Sequence, residues 1–349
     1  MNDIKISGRR IGPGYPAFII AEAGVNHNGD YRLGCRLIDA AFESGADAVK
    51  FQTWITEKLV LKDAVLADYQ RKNLGEKKSQ YAMLKSLELS FPTFRRLKAH
   101  AEKRGILFLS TPDEEESADF LEKIGVPLFK IGSGEVTNLS YLRYIARKNR
   151  PIILSTGMST LEEVKAAVSA IEEAGNRDLV LLHCVSNYPT QPSDCNLAAM
   201  ATLRAEFGYP VGFSDHTQGQ SVAIAAVAMG ACVLEKHLTL DNRMKGPDHR
   251  ASLNPTDFAS LVRAVREAES AIGDGRKEPT AAELKTKKVV QKTLVTARAL
   301  RAGVILRAKD VVLRRTSGGL PPSSLPLLLG RKTRRAVPAF VPIAFAQFE

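Results

Sequence analysis

Two lysines, two glutamates, two histidines and a series of hydroxyl side chains stand where short apolar runs of this chain end. Lys50 and Lys130, with the hydroxyls of Ser110, Thr111, Ser133, Ser155 and Ser214, supply charge-assisted and neutral donors of the kind that hold a phosphate and a carboxylate. A phosphorylated acid is the substrate class they suit. His216 and His237 close two successive apolar runs, and a neutral imidazole is a common ligand for a divalent metal. With two strong protein ligands evident, positions remain for water and substrate, as a Lewis-acid centre requires. Glu22 and Glu135 can orient water, move a proton or hold a hydroxyl, and either can equally serve as the ion-pair partner of Lys50 or Lys130. His27, within Asn26-His27-Asn28-Gly29, is either a turn former or a sugar contact. Neither G-x-x-x-x-G-K-[ST] nor G-x-G-x-x-G occurs, which excludes a nucleotide held by a glycine-rich loop.

These residues need a scaffold that brings distant segments together. Apolar runs at 18–21, 48–51, 107–109, 128–131, 152–154, 180–182, 211–213 and 232–234 alternate with helical patterns such as 161–173 and 258–272. Eight strands over about 260 residues predict an α/β fold, a (β/α)8 TIM barrel, whose active site is built from the C-terminal ends of its strands. Every strand end then contributes: Glu22, Lys50 and Gln52, Ser110 and Thr111, Lys130 with Ser133 and Glu135, Ser155, His183, Ser214 with His216, and Glu235 with Lys236 and His237. One connection, 57–90, is far longer than the others and is the candidate substrate loop. The expected organisation is a catalytic barrel over 1–275, a linker over 276–290 and a small β-rich domain over 291–349.

Composition narrows the classes. The chain has 349 residues, 44% hydrophobic and 25% charged, which fits a packed globular protein. It begins without the apolar core of a signal peptide and has no run of 18 apolar residues, so a cytoplasmic protein without membrane partners is expected. Four cysteines, Cys35, Cys184, Cys195 and Cys232, lie far apart with no C-x-x-C and are expected to be reduced thiols. The net charge of +11 belongs to the C-terminal fifth, where residues 276–349 carry 16 Lys and Arg against 4 Asp and Glu. No aromatics interleave those charges and no reading motif accompanies them, so a nucleic-acid partner is not expected.

Taken together, AEAGVNHNGD, AVKFQT, ADYQ, SQYAMLKSLELS, FLSTP, FKIGSGEVTN, STGMS, LLHCVSNYPT, VGFSDHT, EKHLTLD and GPDHRASL resemble the sialic acid synthases over nearly the whole chain. The resemblance implies a barrel followed by an antifreeze-like (SAF) domain, in a homodimer in which that domain caps the partner's active site. It implies condensation of phosphoenolpyruvate with open-chain N-acetylmannosamine, giving N-acetylneuraminic acid and phosphate, with Mn2+ as the metal and Mg2+ or Co2+ as alternatives. Carried over by position, His216 and His237 bind the metal. Lys50, Thr111, Lys130, Ser133, Ser155, Ser186 and Ser214 hold phosphoenolpyruvate. Glu22, Gln52, Tyr188 and Asp248 face the sugar, and Glu135 positions or activates the attacking water. The family's cap arginine corresponds to Arg315, although Thr316 and Ser317 stand where the family has proline and glycine. Asp113 and Gln191 are two smaller departures, from phenylalanine and proline. A sibling synthase making legionaminic or pseudaminic acid from a 2,4-diacetamido-2,4,6-trideoxyhexose is the alternative, placed second. A related barrel acting on a phosphorylated aldose needs a second phosphate site, and one evident set of donors argues against it. A binding module on a dead barrel conflicts with the intact set of charged residues.

Overall fold

Short runs rich in Val, Ile, Leu and Phe form strands that are buried on both faces, and that burial is what parallel sheets demand. The computed structural model describes residues 3–74 and 79–349, leaving the side chains of 72 and 74 aside. Eight parallel strands are formed: β1 (Phe18–Gly24), β2 (Ala48–Thr53), β3 (Leu107–Pro112), β4 (Phe129–Ile131), β5 (Ile152–Ser155), β6 (Leu179–Cys184), β7 (Val211–Asp215) and β8 (Val233–His237). The paired order is β3-β2-β1-β8-β7-β6-β5-β4, and β3 and β4 lie side by side at the remaining seam, giving a nearly closed barrel. Each strand is followed by a return helix: α1 (Tyr31–Glu43), α2 (Phe91–Arg104), α3 (Glu115–Ile124), α4 (Leu139–Ala146), α5 (Leu161–Glu173), α6 (Ala199–Phe207), α7 (Ser221–Ala228) and α8 (Pro255–Ile272). This is the (β/α)8 architecture expected from the sequence.

Most strands run beyond the apolar segments read from the sequence, because the polar residues that end those segments belong to the ladders. Lys50 pairs with Glu22 and Leu109, and His237 pairs with Glu22. The site residues therefore start from rigid backbone. Local signals set the helix ends as well. Asn254 caps α8 by accepting from Asp257 N, with Pro255 in the first turn, so the helix begins three residues before its apolar pattern. Thr160 and Glu163 form a reciprocal capping box on α5, and Gly105 ends α2 at φ 83°.

Two apolar zones result from the alternation of side chains along each strand. Ile19, Ala21, Val49, Phe51, Leu154, Leu181 and Phe213 face the helices. Phe18, Ile20, Ala48, Leu109, Leu128, Ile153, Val180, Leu182 and Val233 fill the interior, and Ile4, Ile6 and Ile11 of an N-terminal hairpin join them. Gly212 occupies an inward position where a Cβ would lie 2.4 Å from Val233 O and 2.7 Å from Leu182 Cδ2.

The chain divides into two compact units, Met1–Gly273 and Asp274–Glu349. In the second, α9 (Ala281–Val290) occupies most of the stretch read as a linker and exposes all its residues. Strands β9 (Lys292–Thr296) and β10 (Val311–Arg315) pair antiparallel over a core of Leu294, Leu300, Leu306, Leu328, Val337, Ile343 and Phe348. The buried Asp310 carboxylate accepts from Arg298 at 2.8 Å. The four cysteines are free, and among the described residues no helix is long and apolar enough to cross a membrane.

Because the obstruction at Gly212 is backbone and core, Gly212→Ala should cost about 1–3 kcal/mol. Urea unfolding should show a lower midpoint with an unchanged slope.

Candidate active site

The alternation that fills the lower barrel with apolar side chains also decides which polar ones reach its mouth. Glu22 shares the inward parity of Phe18 and Ile20, Lys50 that of Ala48, and Thr111 that of Leu109. Lys130 continues Leu128, Ser155 continues Ile153, and Ser214, Glu235 and His237 continue Gly212 and Val233. Three strand-end residues grouped with these in the sequence analysis have the opposite parity and leave the site. Ser110 Oγ bonds Thr53 Oγ1 at 2.7 Å; His183 Nε2 reaches Cys195 O at 2.7 Å and lies against Phe213. The Lys236 ammonium donates to Asp215 Oδ2 at 2.7 Å and to Thr217 O at 2.6 Å. These are structural contacts on the helix side of the barrel wall.

At the mouth's centre four buried ionisable groups lie against one another. Lys50 Nζ is 2.9 Å from Glu22 Oε2 and 3.8 Å from Glu235 Oε1, and Lys130 Nζ is 3.8 Å from that same Glu235 oxygen. None of the four residues is more than 4% exposed. Isolating any one of them would cost several kcal/mol. Their remaining protons go to hydroxyls and backbone: Lys50 donates to Thr111 Oγ1 at 3.2 Å, and Lys130 to Ser155 Oγ at 2.7 Å and Ile131 O at 3.2 Å. Gln52 donates to Glu22 Oε1 at 2.9 Å. Beside Lys130, Ser133 Oγ lies 3.3 Å from Cys184 Sγ and accepts from Gly157 N at 2.9 Å.

The environment drives the two central carboxyls apart. Burial outweighs Lys50 and pushes Glu22 up to about 7, with Glu235 adding to the rise. Burial acts in the same sense on Glu235, but Lys130 and Lys50 overcome it and hold that group below the usual carboxylate range. A carboxyl pushed up to about 7 beside one held low is the pattern of an acid–base site. Burial alone raises Asp248 to about 6, and burial with Glu135 nearby raises Asp113 to about 7. Glu135 itself, on the short helical turn after β4, accepts from Asn138 Nδ2 at 2.7 Å.

His216 and His237 come together as their positions on β7 and β8 require, with ring centroids 5.5 Å apart. Tyr188 lies over both, at 4.2 Å and 5.6 Å, and Asp248 Oδ2 is 3.9 Å from His237 Nδ1. Burial lowers the basicity of both imidazoles, so both are neutral. His216 Nδ1 donates to Val185 O at 2.7 Å, which fixes the tautomer and leaves Nε2 with its lone pair. Ser214 Oγ, 3.3 Å from that nitrogen, has its one proton directed to Glu235 Oε1 at 3.2 Å. His237 Nδ1, Asp248 Oδ1, Glu235 Oε2 and Asn26 Oδ1 are buried without a partner. This donor set fits a divalent metal held by two histidines. Among the described residues no group of three or more His, Cys, Asp or Glu is arranged for one.

The long connection after β2 carries helices at Thr56–Leu59, Asp68–Leu74 and Gln80–Leu87; its residues 75–78 lie outside the described residues. From it Tyr69 packs 5.0 Å from Tyr188, and Asn73 Nδ2 donates to Pro247 O at 2.6 Å. Neither residue stands at a strand end, so strand-end reasoning misses them; the loop's length was the available signal. His27 is buried, with Nδ1 accepting from Gly29 N at 3.0 Å in the manner of a turn former and Nε2 without a partner. Arg315 lies on β10 of the second unit, exposed and directly opposite Lys292, while Arg314 covers Phe340 at 5.0 Å.

Comparison with known proteins agrees with this geometry. A model of the NeuB family matches residues 37–277. An N,N'-diacetyllegionaminic acid synthase of Legionella pneumophila is 46% identical over 94% of each chain. The human N-acetylneuraminate-9-phosphate synthase is 37% identical over 93% of this chain and 90% of its own. A crystal structure of an N-acetylneuraminic acid (sialic acid) synthetase from Leptospira borgpetersenii, in complex with citrate, superposes with a TM-score of 0.72 at 34% identity, covering 83% of this chain and 97% of that one.

The raised value of Glu22 has a consequence for stability. A carboxyl whose folded value, about 7, lies above its ordinary 4.5 stabilises the fold fully below 4.5 and loses that contribution as pH rises toward 7. Glu22→Gln keeps a neutral side chain throughout. Its stability, measured by denaturant unfolding at pH 5 and pH 7.5, should fall less over that interval than the wild type's, by on the order of 1–3 kcal/mol.

Proposed function

This chain belongs to the NeuB family and is a nonulosonic acid synthase, and we propose that it condenses phosphoenolpyruvate with a 2,4-diacetamido-2,4,6-trideoxyhexose to give N,N'-diacetyllegionaminic acid and phosphate. The observation that carries the reaction class is the inward ring of Lys50, Lys130 and hydroxyls set against Glu22 and the two neutral histidines. For the acceptor, the resemblance in sequence motifs by itself points first to N-acetylmannosamine. The 46% identity to a legionaminic acid synthase, against 37% to a synthase of N-acetylneuraminate 9-phosphate, moves the diacetamido sugar ahead.

In this reading Lys130, Ser133, Ser155, Ser186 and Ser214 take the phosphate of phosphoenolpyruvate, and Lys50 with Thr111 takes its carboxylate. Gln52, Tyr188 and Asp248 orient the open-chain sugar. A divalent metal at His216 and His237, Mn2+ by preference, supplies Lewis acidity toward the aldehyde oxygen when bound. The methylene carbon of phosphoenolpyruvate attacks the aldehyde carbon, forming the new C–C bond, while Glu22, protonated near neutrality, gives its proton to the aldehyde oxygen. Glu135 holds the water that adds to the second carbon of the phosphoenolpyruvate unit and accepts its proton. The C–O bond to phosphate then breaks, leaving the 2-keto acid. The second unit acts as a SAF cap in a cytoplasmic homodimer, bringing Arg315 to the sugar of the partner's site.

Phosphate release from phosphoenolpyruvate should require Mn2+ and the diacetamido sugar, with N-acetylmannosamine a poorer acceptor, and mass spectrometry should find the legionaminic product. Lys130→Met should lower kcat/KM by on the order of 100-fold or more. His216→Ala should abolish turnover and weaken Mn2+ binding measured directly by electron paramagnetic resonance. Turnover undiminished by chelator, or phosphate release independent of any sugar, would sink the reading.

A further inference from the structure

Gly157 follows β5 two residues after Ser155, beside the hydroxyls that flank Lys130. Its backbone is not in the left-handed region, so its φ does not call for glycine. Space calls for it. A Cβ at this position would lie 2.4 Å from Ser186 Oγ, 2.9 Å from Cys184 Sγ and 3.0 Å from Ser133 Oγ. Real Cβ atoms do not approach other atoms as closely as the first of these. The contrast with Gly212 is instructive: there the obstruction is a strand carbonyl and a core leucine, whereas at Gly157 it consists of the ends of three polar side chains that converge on a bare Cα.

We infer that Gly157 forms the floor of the subsite that seats the donor's phosphate, by leaving room for Ser133, Ser186 and Cys184 to converge and by fixing the Ser133 hydroxyl with its N–H. The inference rests on the phosphoenolpyruvate reading and names a positioning residue within it. Gly157 N donates to Ser133 Oγ at 2.9 Å, so the Ser133 proton is directed elsewhere, toward the Cys184 sulfur 3.3 Å away or an anion that displaces that contact. Ser155, two residues earlier, accepts from Lys130 Nζ at 2.7 Å and so leaves its own O–H free to donate. Burial pushes the Cys184 thiol up, so this wall of the subsite carries no negative charge. Two hydroxyls and a neutral thiol converge on one bare Cα, and with the Lys130 ammonium and the Ser155 hydroxyl it holds they suit a tetrahedral oxyanion. A methyl at 157 can be accommodated by rotating Ser186 and Cys184, which preserves the fold and dismantles the subsite.

The test compares wild type, Gly157→Ala, Ser186→Gly and the double variant, in which the closest obstruction to the new methyl is gone. Calorimetric titration with inorganic phosphate and with phosphoenolpyruvate, without sugar, is paired with steady-state kinetics and thermal unfolding. In Gly157→Ala both anions should bind about tenfold or more weakly, equivalent to about 1.4 kcal/mol. The KM for phosphoenolpyruvate should rise by the same factor, with the KM for sugar and the unfolding midpoint unchanged. The double variant should bind phosphate within about threefold of Ser186→Gly alone, because the methyl then has room and the Ser186 hydroxyl is missing from both. Wild-type affinity in Gly157→Ala, or a loss on adding Gly157→Ala to Ser186→Gly as large as the loss in the wild-type background, overturns the inference. A wild type that binds both anions but turns over no sugar defeats the proposed function and leaves the subsite standing; one that binds neither anion defeats both.

Discussion

The barrel mouth is held by the contacts among Lys50, Lys130, Glu22 and Glu235, four ionisable groups taken out of water together. No single member is tolerable there without the others, since the attraction between them must offset a desolvation cost of several kcal/mol per ion. That requirement ties four strands to one another by something more specific than apolar packing. Each lysine also spends protons on a neighbouring hydroxyl, Thr111 or Ser155, so these side chains are oriented before any ligand arrives. Preorganised donors of this kind need not reorganise when charge develops in a reaction.

Membership of one cluster does not make these groups equivalent. Glu235 sits within 3.8 Å of both ammonium groups and stays ionised, whereas Glu22 is buried deeply enough to be proton-bearing near neutrality despite its closer contact with Lys50. The histidines are handled by the same means: burial keeps both imidazoles neutral, and the Val185 carbonyl fixes which nitrogen of His216 is open. Side chains of ordinary chemistry are thus given distinct states by where the strands end. The helices and the N-terminal hairpin contribute by excluding water from below and from the sides.

Much of this was legible in the chain. Eight apolar runs in alternation with amphipathic segments specify a parallel barrel because strands buried on both faces and helices buried on one have different periodicities. The inward set Glu22, Lys50, Thr111, Lys130, Ser155, Ser214, His216 and His237 was found because polar residues at the C-terminal ends of such runs have one place to converge. Ser110, His183 and Lys236, also at strand ends, do not join that set. Adjacent residues of a strand face opposite sides, and counting both parities admits three side chains that serve the wall. Tyr69, Asn73, Cys184 and Gly157 were not legible in this way, since they act from an insertion, an inward strand end or a bare backbone position.

By itself the sequence determined the fold class, the strand order of the polar residues and the family, since periodicity and motif spacing are properties of the chain. Only the tertiary structure decided which carboxyl keeps its proton, which imidazole nitrogen is free and which glycine is required for space. Those outcomes depend on distances between segments far apart in sequence, such as the 2.9 Å between Lys50 and Glu22 or the approach of Ser186 to Gly157, and on the depth of burial that sets the strength of every charge in the mouth.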